Sequence, residues 1–290
     1  MPAPFRIATA GLSAEVSAVG AELVRLAGPD GSDYLWSGDP AWWNGRAPIL
    51  FPIVGTLNAD CFRWHGERYQ LPRHGFARRR DFALIEHGAA RLRLRLEADD
   101  ATRAMWPFDF RLDMIFAIQG ARLSMVAEVT NRSAEAMPTS FGFHPALPWP
   151  LPGAEAKVGH AIRFDKPESA PIRLLDKDGL LDPKPRETPV VGDTLMLDDG
   201  LFSDDALIFD RIESRGLTYG APGSARIDVD FADMPHLGLW MKPGAGYLCV
   251  EPWQGHSDPQ GFAGSLDEKP GMVGIAPGET RCFGMGITIS

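Results

Sequence analysis

Three short stretches of the sequence place polar, titratable side chains among glycines, prolines and aromatic residues. They are LPRHGFARRRDF around His74, TSFGFHPALPW around His144 and GYLCVEPWQGHSD around Glu251. A histidine and a carboxylate together can move protons at neutral pH, which is general acid–base chemistry. Aromatic faces flanked by polar groups suit sugar rings. These residues by themselves therefore indicate a sugar-sized pocket with acid–base potential.

Alternation along the third stretch fixes where its carboxylate points. Successive side chains of a strand lie on opposite faces, so Glu251 shares one face with Tyr247 and Cys249. Pro252 is expected to end this strand, because proline has no N–H to give to a sheet. The carboxylate is thus aimed from a strand end, beside Trp253. A single glutamate at a strand end is more often solvated than functional.

The second stretch is predicted to leave space for a ligand. In FGFH, the two phenylalanines share one face, while Gly142 and His144 share the other. The missing side chain at Gly142 is expected to leave room beside the imidazole. Taken one at a time, His74 and His144 are more often hydrogen-bonded structural residues than catalytic ones. Their occurrence together with a glutamate in similar surroundings favours a shared role.

The residues around these stretches alternate with a period of two, which is typical of half-buried strands. Leu and Arg alternate over residues 90–98, and residues 110–118 and 123–129 flank Gln119-Gly120, which predicts an antiparallel hairpin. Further strands are predicted at residues 227–231, 237–241, 247–250 and 283–289. Only short segments such as residues 99–105 are compatible with a helical turn. The pattern predicts a large antiparallel β-sandwich of the all-β class.

Glycine and proline content supports this class. The 31 glycines and 25 prolines are about a fifth of the 290 residues, where about an eighth is usual. They have no fixed period and lie between apolar runs, so many chain reversals are predicted and a helical bundle is excluded. All-β folds of this length are commonly one unit. We therefore predict one domain over residues 1–290, with residues 175–200 as a long excursion within it.

Charge and composition exclude several classes of partner. The chain has 29 basic and 38 acidic residues, and a net charge of −9 is unfavourable for nucleic acid or an anionic membrane. The longest apolar run, residues 47–54, contains two prolines and is far shorter than the ~20 residues of a membrane helix. No secretory signal is recognised at the N-terminus. The 3 cysteines lie far apart, so reduced thiols and a cytoplasmic location are expected.

Missing motifs exclude further reactions. The sequence has no G-x-S-x-G, P-loop or strand-to-helix G-x-G-x-x-G, and it has no H-x-H or H-E-x-x-H pair. Serine hydrolases, NTPases and Rossmann dehydrogenases thus lose their usual support. A metal site assembled from distant positions is left open.

Three blocks of the sequence resemble the aldose 1-epimerase (galactose mutarotase) family, most closely its LacX-like branch. They are RAPILFPIVGTL with RYQLPRHGFARRRDF, then SFGFHPALPWPLP, then CVEPWQGHSDPQGF with LDEKPGMVGIAPGET. The phrases HGFAR, FGFHP and VEPW occur in the family's order, and the likeness runs over nearly the whole chain. The resemblance implies a galactose-mutarotase-like supersandwich and interconversion of the α and β anomers of a sugar.

The resemblance also implies roles for the three titratable residues. Glu251 matches the general base that takes the proton from the C1 hydroxyl of a cyclic aldose. His144 matches the general acid that protonates the ring oxygen, so that the ring opens to the free aldehyde. His74 matches the second family histidine, which is expected to hydrogen-bond near the ring oxygen. The implied partner is a small sugar, bound by a monomer or homodimer, and the implied mechanism requires no metal or organic cofactor.

Substrate-binding residues follow from the same likeness. LFSDDALIF resembles the segment that grips sugar hydroxyls, which implies Asp205 or the adjacent Asp204. Trp253 and Trp240 are candidates to stack on the sugar, although each is equally compatible with the core. Arg46, just before the apolar block, is a further binding candidate.

One departure from the family pattern concerns the substrate. Thr56 stands where the family phrase FPIVGRL has arginine, so a cation that binds hydroxyls is missing there, and Arg78 or Arg46 is expected to replace it. The basic cluster at residues 73 and 78–80 fits either a sugar phosphate or a solvated turn. Two alternatives to a free-aldose mutarotase therefore stay open: a hexose-6-phosphate mutarotase and a non-catalytic sugar-binding protein.

Overall fold

The computed structural model describes residues 3–290, and these are 42% strand and only 6% helical, which confirms the predicted all-β class. The strands are β1 Phe5–Ala8, β2 Ser13–Val16, β3 Leu23–Ala27, β4 Ile49–Leu50, β5 Cys61–Trp64, β6 Glu67–Gln70, β7 Ala83–His87, β8 Arg91–Glu97, β9 Phe110–Gln119, β10 Arg122–Asn131, β11 Met137–Thr139, β12 Phe141–Phe143, β13 Ala146–Pro148, β14 Ala161–Phe164, β15 Thr194–Met196, β16 Leu207–Phe209, β17 Gly216–Gly220, β18 Arg226–Asp230, β19 His236–Trp240, β20 Tyr247–Gln254, β21 Val273–Ile275 and β22 Thr280–Ile289. The helical segments are α1 Asp100–Arg103 and the 3₁₀ helices Asn58–Asp60, Ala77–Arg79, Asp199–Phe202 and Leu266–Glu268.

Two large antiparallel sheets dominate the architecture. The nine-stranded sheet has the order β15-β14-β17-β18-β22-β10-β9-β8-β7, and the six-stranded sheet has the order β16-β19-β20-β12-β4, with β13 also paired to β20. Smaller sheets are formed by β1-β2-β3, by β11 with β21 and by β5 with β6.

The main hydrophobic core lies between the two large sheets. Apolar side chains of both sheets belong to one buried cluster. Phe141 of the six-stranded sheet stacks on Phe283 of the nine-stranded sheet with ring centroids 5.4 Å apart. Phe164 and Phe209 make the corresponding contact at 5.6 Å. This is the face-to-face packing of a β-sandwich, as predicted.

Most local predictions agree with the structure, and one is wrong. The β9–β10 hairpin pairs Gln119 with Arg122, as the Gln-Gly turn predicts. The one α-helix within residues 3–290, Asp100–Arg103, falls within the segment expected to form a helical turn and is capped by Asp99. Pro252, however, does not end its strand: β20 continues to Gln254, with Pro252 opposite Leu237 of β19. The proline is tolerated because hydrogen-bonded ladders with β13 and β12 lie only on either side of it.

The excursion over residues 175–200 carries little regular structure. Apart from β15, it is held by isolated bridges such as Leu175 with Leu181. Leu181 belongs to a small buried cluster on the six-stranded sheet, and Leu175 packs against that cluster. The excursion therefore covers part of the sheet face that bears the site described below. In residues 3–290, no helix is long and apolar enough to cross a membrane.

Candidate active site

The site lies on the face of the six-stranded sheet that is turned away from the main core. Alternation separates the two faces in β16: Leu207 and Phe209 belong to the main core, whereas Ile208 belongs with Trp253 of β20 to a second, smaller cluster. That cluster also contains Leu50, Val54 and Ala206. The apolar floor is therefore built by β4, β16 and β20 together.

Glu251 and His144 face each other across neighbouring strands. Gly142 is paired with Trp253 on one side, and Ala146 is paired with Cys249 on the other, so the register places His144 directly opposite Glu251. Nε2 of His144 lies 3.2 Å from Oε2 of Glu251. Both side chains are buried, the carboxyl at 2% exposure. The two residues implied to be acid and base are thus in direct contact.

His74 joins this pair from the turn between β6 and the 3₁₀ helix Ala77–Arg79. Its ring lies edge-on to that of His144, with centroids 6.0 Å apart. The amide of Gly55 donates to Nδ1 of His74 at 3.1 Å, and the amide of His74 donates to the Gly55 carbonyl at 2.8 Å. His74 has a φ of +65°, a strained value for a residue with a Cβ. The reciprocal bonds to Gly55 stabilise this conformation and fix the ring.

Burial controls the protonation of the central pair. It raises the pKa of Glu251 well above its ordinary value; the charge of Arg73 opposes this effect and that of Asp205 adds to it. It also lowers the pKa of His144 to about 3, with smaller contributions from Arg78 and Arg73. Two contacting groups with pKa values shifted in opposite directions share one proton over a wide pH range.

Asp205 lines the same cavity from the loop before β16. It also has a positive φ, +75°, and its carboxylate accepts a bond from the Ala206 amide at 2.8 Å. The neighbouring Asp204, the alternative for this role, instead accepts from Arg186 at 2.6 Å on the exposed side. The geometry therefore separates two adjacent residues that the sequence left equivalent.

Trp253 forms part of the floor because two neighbouring strands have glycine opposite its ring. A Cβ added at Gly238 would lie 2.4 Å from the indole, and one at Gly142 would lie 2.7 Å from it. The room predicted beside His144 at Gly142 is thus filled by this indole, and the open space lies above it. Trp240 also lines the cavity.

Trp43 is a site residue that sequence reasoning missed. It stacks on the His144 imidazole with centroids 5.0 Å apart and an interplanar angle of 29°. Its indole shields one face of the imidazole, which contributes to burial of the pair. The segment before β4 has no alternation, so no sequence pattern indicated where this side chain lies.

The arginine candidates divide into two groups. Arg78 lines the cavity, and so does Arg73, whose Nε lies 3.2 Å from Nε2 of His74. Arg46 does not line it: its Nε donates to the Ser37 carbonyl at 2.8 Å. Thr56 is nearly buried, and its hydroxyl has no partner among the described residues. Arg73 and Arg78, rather than Arg46, are therefore the cations available to a ligand.

One cluster has the donor types of a metal site. Ligand atoms of His144, Cys249 and Glu251 all lie within 4.8 Å of one another. Burial, followed by the charge of Glu251, raises the pKa of the Cys249 thiol well above its ordinary value, and a protonated thiol is a poor ligand. The group does not fit a metal well, and we assign none to it.

The cavity bounded by these side chains has a volume of about 230 Å³. It combines an apolar floor, an indole, two guanidinium groups and a buried acid–base pair. Such a mixture can hold a ring with hydroxyl groups and move protons at one edge of it. The fold and the site together define a β-sandwich protein with a buried acid–base pair at the edge of a ring-sized cavity.

Comparison with known proteins gives the same class. The family profile described as Aldose 1-epimerase matches residues 5–261. Protein LacX (plasmid) of Lactococcus lactis subsp. lactis is 33% identical over 289 residues, which cover 96% of each chain. An X-ray structure of a galactose mutarotase related enzyme from Lactobacillus acidophilus has a TM-score of 0.92 at 28% identity, covering 99% of this chain and 97% of that one. A galactose mutarotase-like protein from Lactobacillus casei ATCC 334 has a TM-score of 0.91 at 26% identity, covering 99% and 100%.

The chain belongs to the aldose 1-epimerase family, and within it the chain is LacX-like. The resemblance found in the sequence and the expected galactose-mutarotase-like sandwich are both confirmed. Membership supports an epimerase of the mutarotase type.

Proposed function

We propose that the protein is an aldose 1-epimerase that interconverts the α and β anomers of a free aldose by acid–base ring opening and reclosure. Glu251 takes the proton from the C1 hydroxyl, and His144 gives a proton to the ring oxygen. The C1–O5 bond then breaks, which leaves the open-chain aldehyde. Rotation about C1–C2 presents the other carbonyl face, and reclosure with the two groups in reversed roles gives the other anomer.

The contact between His144 and Glu251 is the observation that carries this proposal. O1 and O5 are bonded to the same carbon, so the groups that serve them must lie close together, as these do at 3.2 Å. The pair also needs only one proton. Burial favours the neutral form, in which Glu251 holds this proton, and in the ionised form that starts the reaction His144 holds it. A proton moving from Glu251 to His144 therefore prepares the site without exchange with solvent.

His74 supports the same step. Burial, with smaller contributions from Arg73 and His144, lowers the pKa of His74 well below its ordinary value, so the ring is neutral. The Gly55 amide donates to Nδ1 at 3.1 Å, and Nε of Arg73 donates to Nε2 at 3.2 Å. We assign the Nε2 edge of the ring to the ring-oxygen edge of the sugar.

Asp205 and Trp253 are assigned to substrate binding. Asp205 presents its carboxylate on the rim, where it accepts from sugar hydroxyls, and Trp253 supplies an apolar surface for a ring face. We also propose that residues 1–290 act as one cytoplasmic domain, as a monomer or homodimer, without a metal or organic cofactor. Neither nucleic acid nor a membrane is part of the proposal.

Exchange between anomers tests the proposal directly. Freshly dissolved α-glucose and α-galactose are followed by polarimetry, and exchange of the C1 proton signals is followed by NMR, each with a buffer blank. The expected result is an anomerisation rate proportional to enzyme concentration. Blank-level rates for a broad panel that includes acidic sugars would overturn the enzyme proposal, and saturable binding in that case would show a sugar-binding protein.

A further inference from the structure

The imidazole of His144 lacks the hydrogen bond that commonly orients a proton-transferring histidine. In such sites one ring nitrogen handles the proton, while the other is bonded to a carboxylate or a carbonyl that fixes the ring. Nε2 of His144 contacts Glu251, but Nδ1 is buried and has no hydrogen-bond partner in any other residue of the described range 3–290. Another kind of contact must therefore hold the ring in its plane.

Trp43 makes that contact. Its indole lies over the face of the His144 imidazole, with ring centroids 5.0 Å apart and 29° between the planes. Trp240 and His74 meet the same imidazole nearly at right angles, each with centroids 6.0 Å apart. Aromatic contacts, rather than a hydrogen bond at Nδ1, therefore confine the plane of the ring.

The loop before β4 is built to hold the Trp43 indole against the imidazole. The amide of Trp43 donates to the Asp39 carbonyl at 2.9 Å, and the indole N–H of Trp36 donates to the Trp43 carbonyl at 2.8 Å. Gly45 leaves room for the ring, because a Cβ at this position would lie 2.5 Å from an indole carbon of Trp43. The segment that carries the indole thus also fixes its position.

The stacked indole favours one charge state of the imidazole. The faces of an indole ring carry negative charge density, so they attract a cation placed over them, most strongly where water is excluded. This inference rests on the proposed function, in which the reaction starts from the ionised form of the pair with the proton on His144. The indole stabilises that imidazolium more than the neutral imidazole. An interaction that favours the reacting form over the resting form raises kcat.

We propose that Trp43 is a positioning residue, which holds the plane of the His144 ring and stabilises its imidazolium when the proton moves to it from Glu251. The indole also covers the imidazole from water, and this cover by itself disfavours a charge. An aliphatic side chain in the same place would keep part of the cover and lose the attractive face. The choice of substitution can therefore separate the two effects.

Substitution of Trp43 tests the inference through the split between kcat and KM. The rate of C1 exchange is measured over a range of concentrations of the sugar that the wild type converts fastest. Trp43→Leu is expected to lower kcat about 10- to 30-fold, the scale of a desolvated cation–π contact, with little change in KM. Trp43→Phe keeps a smaller aromatic face and is expected to lose less. Trp42→Leu is the matched control, because Trp42 is exposed and does not line the cavity, and it should retain kcat.

Fluorinated tryptophan at position 43 separates the charge effect from the shape of the side chain. Fluorine withdraws electron density from the ring faces and changes the size of the indole little. The logarithm of kcat is therefore expected to fall stepwise from the natural residue through mono-, di- and trifluorotryptophan. A merely structural role would give the same kcat across the series. Thermal unfolding of each variant shows whether it is folded.

The outcomes separate this inference from the proposed function. An unchanged kcat across the fluorinated series overturns the inference and leaves the mutarotase intact, because the indole would then act through its shape alone. A Trp43→Leu variant in which only KM rises overturns it too, since the indole would then bind the sugar instead of acting on His144. Equal losses in Trp42→Leu and Trp43→Leu also overturn it. Absence of catalysed exchange with every sugar overturns the proposed function, and the inference with it.

Discussion

The imidazole of His144 contacts the carboxyl group of Glu251 at a break in strand pairing. The ladders of β12 and β13 with β20 stop on either side of these two residues. The break frees both side chains from ordinary sheet packing and lets Nε2 and Oε2 approach to 3.2 Å. A β-sheet thus supplies a rigid support for an acid–base pair, while prolines at residues 145 and 252 keep the pairing open.

Replacement of the proposed base should abolish most catalysis without unfolding the protein. Glu251→Gln keeps the size of the side chain but cannot accept the C1 hydroxyl proton. The catalysed exchange rate is expected to fall about 10²- to 10⁴-fold, as measured by NMR exchange at several enzyme concentrations. Glu279→Gln, an exposed glutamate near β22, is the control and should retain the rate. Near wild-type turnover in Glu251→Gln would show that another residue is the base.

Activity should be almost independent of pH around neutrality. The pair is competent while it holds one proton. A second proton binds only near the pKa of about 3 at His144, and the first is lost only when pH rises through the raised pKa of Glu251. The expected kcat/KM profile therefore has no step from an ordinary histidine and falls only as pH rises through the raised pKa of Glu251. A fall in kcat/KM near pH 6.5, the ordinary histidine pKa, would contradict this account.

Arg73 should set the alkaline limb of that profile. Its positive charge lowers the pKa of Glu251 against the effect of burial. Arg73→Gln is therefore expected to move the alkaline limb of kcat/KM for a neutral sugar to higher pH. Arg79→Gln provides a comparison, because Arg79 is an exposed arginine like Arg73 but does not line the cavity. An identical alkaline limb in wild type and Arg73→Gln would show that Arg73 does not act on the carboxyl group.

The strand pattern predicted the fold more completely than it predicted the site. Alternation depends on neighbours along the chain, so β8, β9 and β10 could be read directly from it. The site instead joins segments that meet only through pairing of distant strands. His74, His144 and Glu251 were found because each lies in a distinctive phrase. Trp43 lies in an irregular segment, and nothing in the sequence placed it on the imidazole.

The arginines show the same limit in more detail. Thr56 was read as a missing cation, but its replacement could not be chosen, because position in sequence does not fix where a long side chain reaches. The structure brings Arg73 and Arg78 to the cavity and turns Arg46 toward Ser37. The prediction that β20 ends at Pro252 was wrong for a related reason. A proline ends a strand only where a neighbour needs its N–H, and that depends on the other strands.

Buried histidines should make the fold sensitive to acid. Burial lowers the pKa of His144 to about 3 and that of His236 to about 4. Between about pH 4 and 6.5 the unfolded chain binds these protons and the folded chain does not, so the free energy of unfolding rises with pH. The slope is about 1.4 kcal/mol per pH unit for each such histidine. Above its unfolded pKa, Glu251 makes the free energy of unfolding fall as pH rises, because the folded state keeps the proton of this carboxyl group and the unfolded state loses it.

Urea unfolding at pH 4.5, 5.5 and 6.5 measures that slope. His144→Asn is expected to lower the slope by about the contribution of one histidine. Glu251→Gln is expected to raise the slope, because it removes the proton that acts in the opposite direction. The sign of the second change is diagnostic. A slope that Glu251→Gln leaves unchanged or lowers would show that the carboxyl group is ionised in the folded protein.

The two glycines beneath Trp253 should be needed for the site. A Cβ at Gly238 would meet the indole at 2.4 Å, in a buried strand where the backbone has little freedom to move. Gly238→Ala is expected to destabilise the protein by about 1–3 kcal/mol and to raise KM by displacing the ring from the floor. Gly274→Ala is the matched control, because a Cβ there meets no atom within 4 Å. Urea unfolding and saturation kinetics of both variants check the expectation, and equal behaviour of the two would remove Trp253 from the binding surface.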